Sequence, residues 1–123
     1  MAKPGKKGLI RIIDATGYSF RGLAAAWRYE AAFRQELMLA LVGIPAAWWL
    51  AQDKYELLWL LLPLFLLVMA ELTNSAIEAV VDRVGKEHHE LAGRAKDIGS
   101  ALVFVSLILL GVIWLVVLLP IQF

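Results

Sequence analysis

The stretch 57-LLWLLLPLFLLVMAELTNSAIEAVVD-82 decides the fold. Its first 14 residues, Leu57 to Ala70, hold no charged side chain. A membrane-crossing helix needs about 20 residues at a rise of about 1.5 Å each, so the apolar run spans only when TNSAIEAVV is added to it. Glu71 is thereby drawn to membrane depth. At about 100° per residue, positions 71, 74, 75, 78 and 82 fall on one narrow helical face. That face carries Glu71, Asn74, Ser75, Glu78 and Asp82, and the rest of the helix is apolar. An ionisable group at such depth costs roughly 2.5–3.5 kcal/mol on insertion scales. The stripe therefore reads as a functional site facing the protein interior, with an interhelical structural cluster as the alternative.

Outward from this helix the pattern repeats. Leu37 to Leu50 is apolar but short, and must borrow EAAFRQE upstream to span, whereas Ile98 to Leu119 can span alone. AQDKYE (51–56) reads as a turn, and DRVGKEHHELAGRAKD (82–97) as a polar loop or helical hairpin. Between Ile10 and Trp27 apolar positions mix with Arg11, Asp14 and Arg21, which suits one or two amphipathic helices broken near Gly17 and lying on the membrane surface. The expected organisation is a single all-α domain: a surface helix region over 1–29, spans over 30–51, 55–82 and 98–120, and a polar loop over 83–97.

Composition agrees with this patterning. Of 123 residues 61% are hydrophobic and 19% charged, and the net charge of +1 hides a segregation of charges into short segments between apolar runs. The residues up to Arg34 hold seven Lys and Arg, 82–97 hold four, and the turn 51–56 holds one. The positive-inside rule then puts the N-terminus and the second loop in the cytoplasm, with Trp48, Trp49, Tyr55 and Trp59 as an aromatic belt at the opposite interface. There is no cysteine, which excludes disulfides, thiolate metal sites and thiol nucleophiles. MAKPGKKGLIRIID has no apolar core followed by a small-residue cleavage site, so it is not read as a signal peptide. Phosphate-loop, protein-kinase and nucleophile-elbow motifs are missing from the sequence, and no nucleic-acid partner is expected.

Counting from the shared turn places the acids at two levels. Glu36 lies 14 residues from Leu50 and Glu71 lies 14 from Leu57. Glu30 and Glu78 lie 20 and 21 residues from the same points, roughly 30 Å from the outer boundary and thus near the cytoplasmic interface. Paired carboxylates beside a basic loop suit Mg²⁺, which binds hard oxygen ligands and commonly keeps phosphate oxygens as co-ligands. Phosphoryl transfer needs these parts and little else. A proton- or ion-conducting oligomer is an equally open reading of the stripe on the residues alone. His88 and His89 read as solvated side chains, Asp97 as a cap for a helix beginning near Ile98, Lys96 as a phosphate contact, Arg11 and Arg34 as lipid-headgroup contacts, and Ser106 and Trp114 as packing or lipid contacts.

GYSFRGLAAAWRYEAAFRQE (17–36), ELTNSAIEAVVDR (71–83) and HELAGRAKDIGSA (89–101) closely resemble the membrane-integral diacylglycerol kinases of bacteria, in order and spacing over most of the chain. Phe20 and His88 stand where that pattern has Trp and Tyr. The resemblance implies a homotrimer of three-span subunits in the bacterial inner membrane, each with a surface N-terminal helix, using ATP with Mg²⁺ to phosphorylate the primary hydroxyl of diacylglycerol at the cytoplasmic face. The product would be phosphatidic acid. It implies Glu71 as the general base, Glu30 and Glu78 as metal-binding acids that also meet the nucleotide, and Asn74 near the transferring phosphate. Arg11, Tyr18, Glu87, His88, His89, Lys96 and Asp97 would contact the nucleotide; Ser19, Gln35, Glu36, Trp49, Ser100 and Trp114 would contact the lipid. A kinase for another lipid alcohol, such as undecaprenol, is the alternative.

Overall fold

The computed structural model describes Gly5 and residues 7–123. Residues 1–4 and 6, part of the expected N-terminal region, lie outside the described residues. Four helices follow one another: α1 (Leu9–Tyr29), α2 (Ala31–Leu50), α3 (Lys54–Val84) and α4 (Glu90–Leu118). No strand occurs among the described residues.

α1 is unbroken through Gly17, against the break expected there. A single glycine inside a helix costs only about 1 kcal/mol relative to alanine, too little by itself to interrupt a helix of 21 residues. Thr16 and Ser19 turn their hydroxyls back onto the carbonyls of Ile12 and Ala15, both at 2.9 Å, so neither draws the backbone out of the helix. α1 ends at Glu30, where the backbone is extended (φ −116°, ψ 106°) although its N–H still donates to the Ala26 carbonyl at 2.9 Å.

α3 is the central helix and packs against both α2 and α4. Asp53 starts it by accepting from the N–H groups of Tyr55 (2.8 Å) and Glu56 (2.9 Å), and the Glu56 carboxylate accepts in turn from the Gln52 N–H. Such caps satisfy donors that the first helical turn leaves without partners. Leu60, Pro63, Leu64 and Leu67 are fully buried in the middle of α3, as is Phe33 on α2. Small residues let the helices approach. A methyl group placed on Gly43 would meet the Leu64 side chain at 2.8 Å, and Ala40 and Ala47 are buried one turn to either side of it. Close approach at small residues is the usual way that helices associate in lipid.

Pro63 provides no N–H for the carbonyl four residues before it, and its ring disturbs that turn. Beside the disturbance, the Trp114 indole of α4 donates to the Leu60 carbonyl at 3.0 Å. This bond ties the C-terminal end of α4 to the N-terminal part of α3.

α4 begins eight residues before the expected start at Ile98. His89 is its N-cap, with Nδ1 accepting from the Leu91 N–H at 3.1 Å, and Asp97 lies inside the helix, so the capping role expected for Asp97 is wrong. The cause is that ELAGRAKD is polar yet helix-compatible, braced by an Arg94–Glu90 ion pair one turn apart at 3.2 Å. Hydropathy alone cannot separate such a helix extension from a loop. Because α3 in turn runs to Val84, the non-helical connection is 85–89.

α3 and α4 are long and apolar enough to cross a membrane by length and composition. α4 buries little of its apolar stretch within the chain: Ile98, Phe104, Val105, Val112 and Leu115 are all exposed.

Candidate active site

The polar face of α3 is buried over its first three members, half-buried at Glu78 and exposed at Asp82, so the inward facing expected of the whole stripe holds only for its deeper part. Glu71 is 3% exposed, and Asn74 and Ser75 are buried beside it. Ser75, one turn along, donates its hydroxyl to Glu71 Oε1 at 3.4 Å. At that distance the bond is a weak one. Glu36, Glu78 and Glu30 are the other acids within electrostatic range of Glu71.

Asn74 faces α4. Its Oδ1 is buried without a hydrogen-bond partner, packed where Gly99 leaves room, for a methyl group at Gly99 would run into that oxygen. A buried unpartnered acceptor costs about 1–3 kcal/mol, so the position keeps a polar atom at the expense of stability.

Beyond the buried face, where α3 gives way to α4, a cleft of ≈ 250 Å³ opens. Its lining includes Asp82, Lys86, Glu87, His88, His89 and Lys96. Asp82 Oδ1 and Lys96 Nζ form an ion pair at 2.6 Å across it, and Glu78 also acts on Lys96. Four of the expected nucleotide contacts, Glu87, His88, His89 and Lys96, therefore share one wall. Arg11 and Tyr18 are on α1 and do not line this cleft; the Tyr18 ring instead carries the Arg21 guanidinium over its face at 5.0 Å. Asp97 is exposed on α4, next to Lys96 in sequence.

The expected lipid contacts are dispersed. Ser19 is on α1, Gln35 and Trp49 lie at opposite ends of α2, and Ser100 is on α4, all exposed. Glu36 is half-buried near Glu71, and Trp114 is half-buried with its indole N–H engaged by Leu60. Sequence reasoning gave Arg34 to lipid headgroups, whereas its guanidinium binds the end of α1 through the carbonyls of Trp27 and Arg28.

Glu30 and Glu78 are both half-buried and both within electrostatic range of Glu71. Among the described residues no group of three or more His, Cys, Asp or Glu side chains gathers as a cation cage. Two hard carboxylates fit an ion that completes its shell with water and phosphate oxygens.

Fold and site together define a class: a small all-helical protein with membrane-length apolar helices, a carboxylate buried at depth, and a charged cleft at one end of the same helix pair. Residues 17–118 match the family model described as prokaryotic diacylglycerol kinase. The chain is 50% identical over 111 residues to the diacylglycerol kinase of Escherichia coli, covering 90% of this chain and 91% of that one. With the diacylglycerol kinase of Pseudomonas aeruginosa it shares 49% over 115 residues, 94% of each chain. With that of Haemophilus influenzae it shares 47% over 107 residues, 87% of this chain and 91% of the other. The chain belongs to the prokaryotic diacylglycerol kinase family.

Proposed function

We propose that this chain is a lipid kinase that transfers the γ-phosphate of ATP to the primary hydroxyl of diacylglycerol, giving phosphatidic acid. The observation that carries the reading is the buried Glu71, held by Ser75, in a chain about half identical along most of its length to proteins named diacylglycerol kinase.

Glu71 takes the proton from the lipid hydroxyl. The hydroxyl oxygen attacks the γ-phosphorus, the bond from that phosphorus to its bridging oxygen breaks, and ADP leaves with the electron pair. Such a reaction is accelerated mainly by positioning and by offsetting charge. Burial at Glu71 keeps water from competing with the lipid hydroxyl. Lys96 and the cleft residues Glu87, His88 and His89 hold the nucleotide, joined by Arg11, Tyr18 and Asp97, and Asn74 lies at the transferring phosphate. Glu30 and Glu78 are the acids for Mg²⁺, which supplies positive charge to the phosphates when the nucleotide is bound. Ser19, Gln35, Glu36, Trp49, Ser100 and Trp114 face the lipid.

The same reading makes α2 a third membrane span, since its 20 residues reach about 30 Å. It lays α1 on the cytoplasmic surface of the inner membrane, and covers the exposed apolar side of α4 with lipid and with two further copies of the chain in a homotrimer.

Glu71→Gln keeps the size of the side chain and removes the base. In mixed micelles containing diacylglycerol, that variant is expected to retain its oligomeric state and lose at least about 100-fold in phosphate transfer. Unimpaired turnover would exclude Glu71 as the base.

A further inference from the structure

Glu30 is the single non-helical residue between two helices, closing α1 and opening α2. Its extended backbone bends the chain there, and as the N-cap of α2 it makes no capping hydrogen bond with its side chain. The place from which its carboxylate extends is therefore set by how the two helices meet. Among the described residues of α1, Ala26 is the one that is buried.

The joint is fastened by one side chain. Arg34, one turn into α2, reaches back across Glu30, and its Nη1 donates to the carbonyl of Trp27 at 2.7 Å and to that of Arg28 at 3.4 Å. These are carbonyls of the last turn of α1, which a helix end leaves without intrahelical donors. A cation there also opposes the negative end of the helix dipole, and a charge-assisted bond at this distance is among the stronger ones. The Arg34 N–H closes the same loop by donating to the Glu30 carbonyl at 3.3 Å. Glu30 is thus bracketed on both sides by contacts from a single residue.

We infer that Arg34 is a positioning residue, which holds the α1–α2 joint so that the Glu30 carboxylate is presented to a divalent cation together with Glu78. The inference rests on the proposed role of Glu30 as a metal-binding acid, and its test does not require turnover.

Two measurements on the purified full-length chain in micelles decide it. The first is Mn²⁺ binding followed by its paramagnetic signal, with a non-hydrolysable ATP analogue present. The second is the distance distribution between spin labels at Ala24→Cys and Val42→Cys, both exposed positions in a chain with no other cysteine. Arg34→Gln is expected to weaken Mn²⁺ binding by about tenfold and to broaden the distance distribution. Arg34→Lys, which keeps a cation able to reach the carbonyls, is expected to recover most of both. In a Glu30→Gln background, Arg34→Gln should weaken Mn²⁺ binding no further. An unchanged distance distribution in Arg34→Gln overturns the proposal. So does a broadened distribution with unchanged Mn²⁺ binding, which would leave Arg34 a helix cap and nothing more. Normal Mn²⁺ behaviour with no phosphorylation of any lipid would instead count against the proposed reaction and leave the role of Arg34 standing.

Discussion

Asn74 shows most plainly how a single residue keeps a polar atom at the expense of stability. Its Oδ1 is buried against Gly99 with no donor, although an apolar side chain of the same shape would fill the space without loss. Replacing an unpartnered buried polar group by an isosteric apolar one is close to neutral or stabilising. Asn74→Leu is accordingly expected to resist denaturant in micelles as well as the parent, or by about 1 kcal/mol better, while phosphate transfer falls by roughly 100-fold or more. An unfolding titration and an activity assay on one preparation check both halves. A variant that loses stability and activity together would make Asn74 a packing residue. The stripe that contains it was visible in the sequence, because helical spacing and the cost of burying Glu71 are both readable from residue order. The partner face was not. Nothing in the chain announces that Gly99 makes room for Asn74, or that Arg34 turns back onto α1, since both depend on how helices distant in sequence or joined by a bend come together.

Among the elements, the join between α3 and α4 carries the clearest energetic signature. Pro63 breaks the regular hydrogen-bond ladder, and Trp114 donates to the nearby Leu60 carbonyl. Trp114→Phe keeps the ring but removes the donor, and should cost about 0.5–1.5 kcal/mol of stability. The cost should shrink in a Pro63→Ala background, where the N–H restored at that position bonds the Trp59 carbonyl, the turn becomes regular and the Leu60 carbonyl is left to the Leu64 N–H; a double-mutant cycle measures the coupling. Independent, additive costs would mean that the indole bond is unrelated to the proline. Element boundaries were the least legible feature. The polar ELAGRAKD segment reads equally as loop or as part of a helical hairpin, and its helix is continuous with α4; α1 looks divisible because Gly17 is a weak helix former. Each signal is real, but worth about 1 kcal/mol or less per residue, and continuity of the helix outweighs it.

For the whole molecule, the apolar runs told most of the story. The positions of α3 and α4 follow from length and hydropathy, and the family follows from three motifs that stand in order along the chain. What hydropathy could not supply is the relation between the two functional regions. Glu71 lies buried among helices, while the cleft lined by Glu87, His88, His89 and Lys96 lies where α3 hands over to α4. A lipid hydroxyl approaching from the membrane and a nucleotide approaching from water can meet only near such a boundary, and Glu78 on α3 stands two turns from Glu71 and one turn from Asp82, the ion-pair partner of Lys96. This two-sided access is the central claim, and it is tested most directly by labelled phosphate transfer from ATP to a panel of lipid alcohols by the purified protein. The expected result is labelled phosphatidic acid, with diacylglycerol the preferred acceptor and transfer dependent on a divalent cation. Preferential labelling of undecaprenol, or no labelled lipid at all, would contradict it.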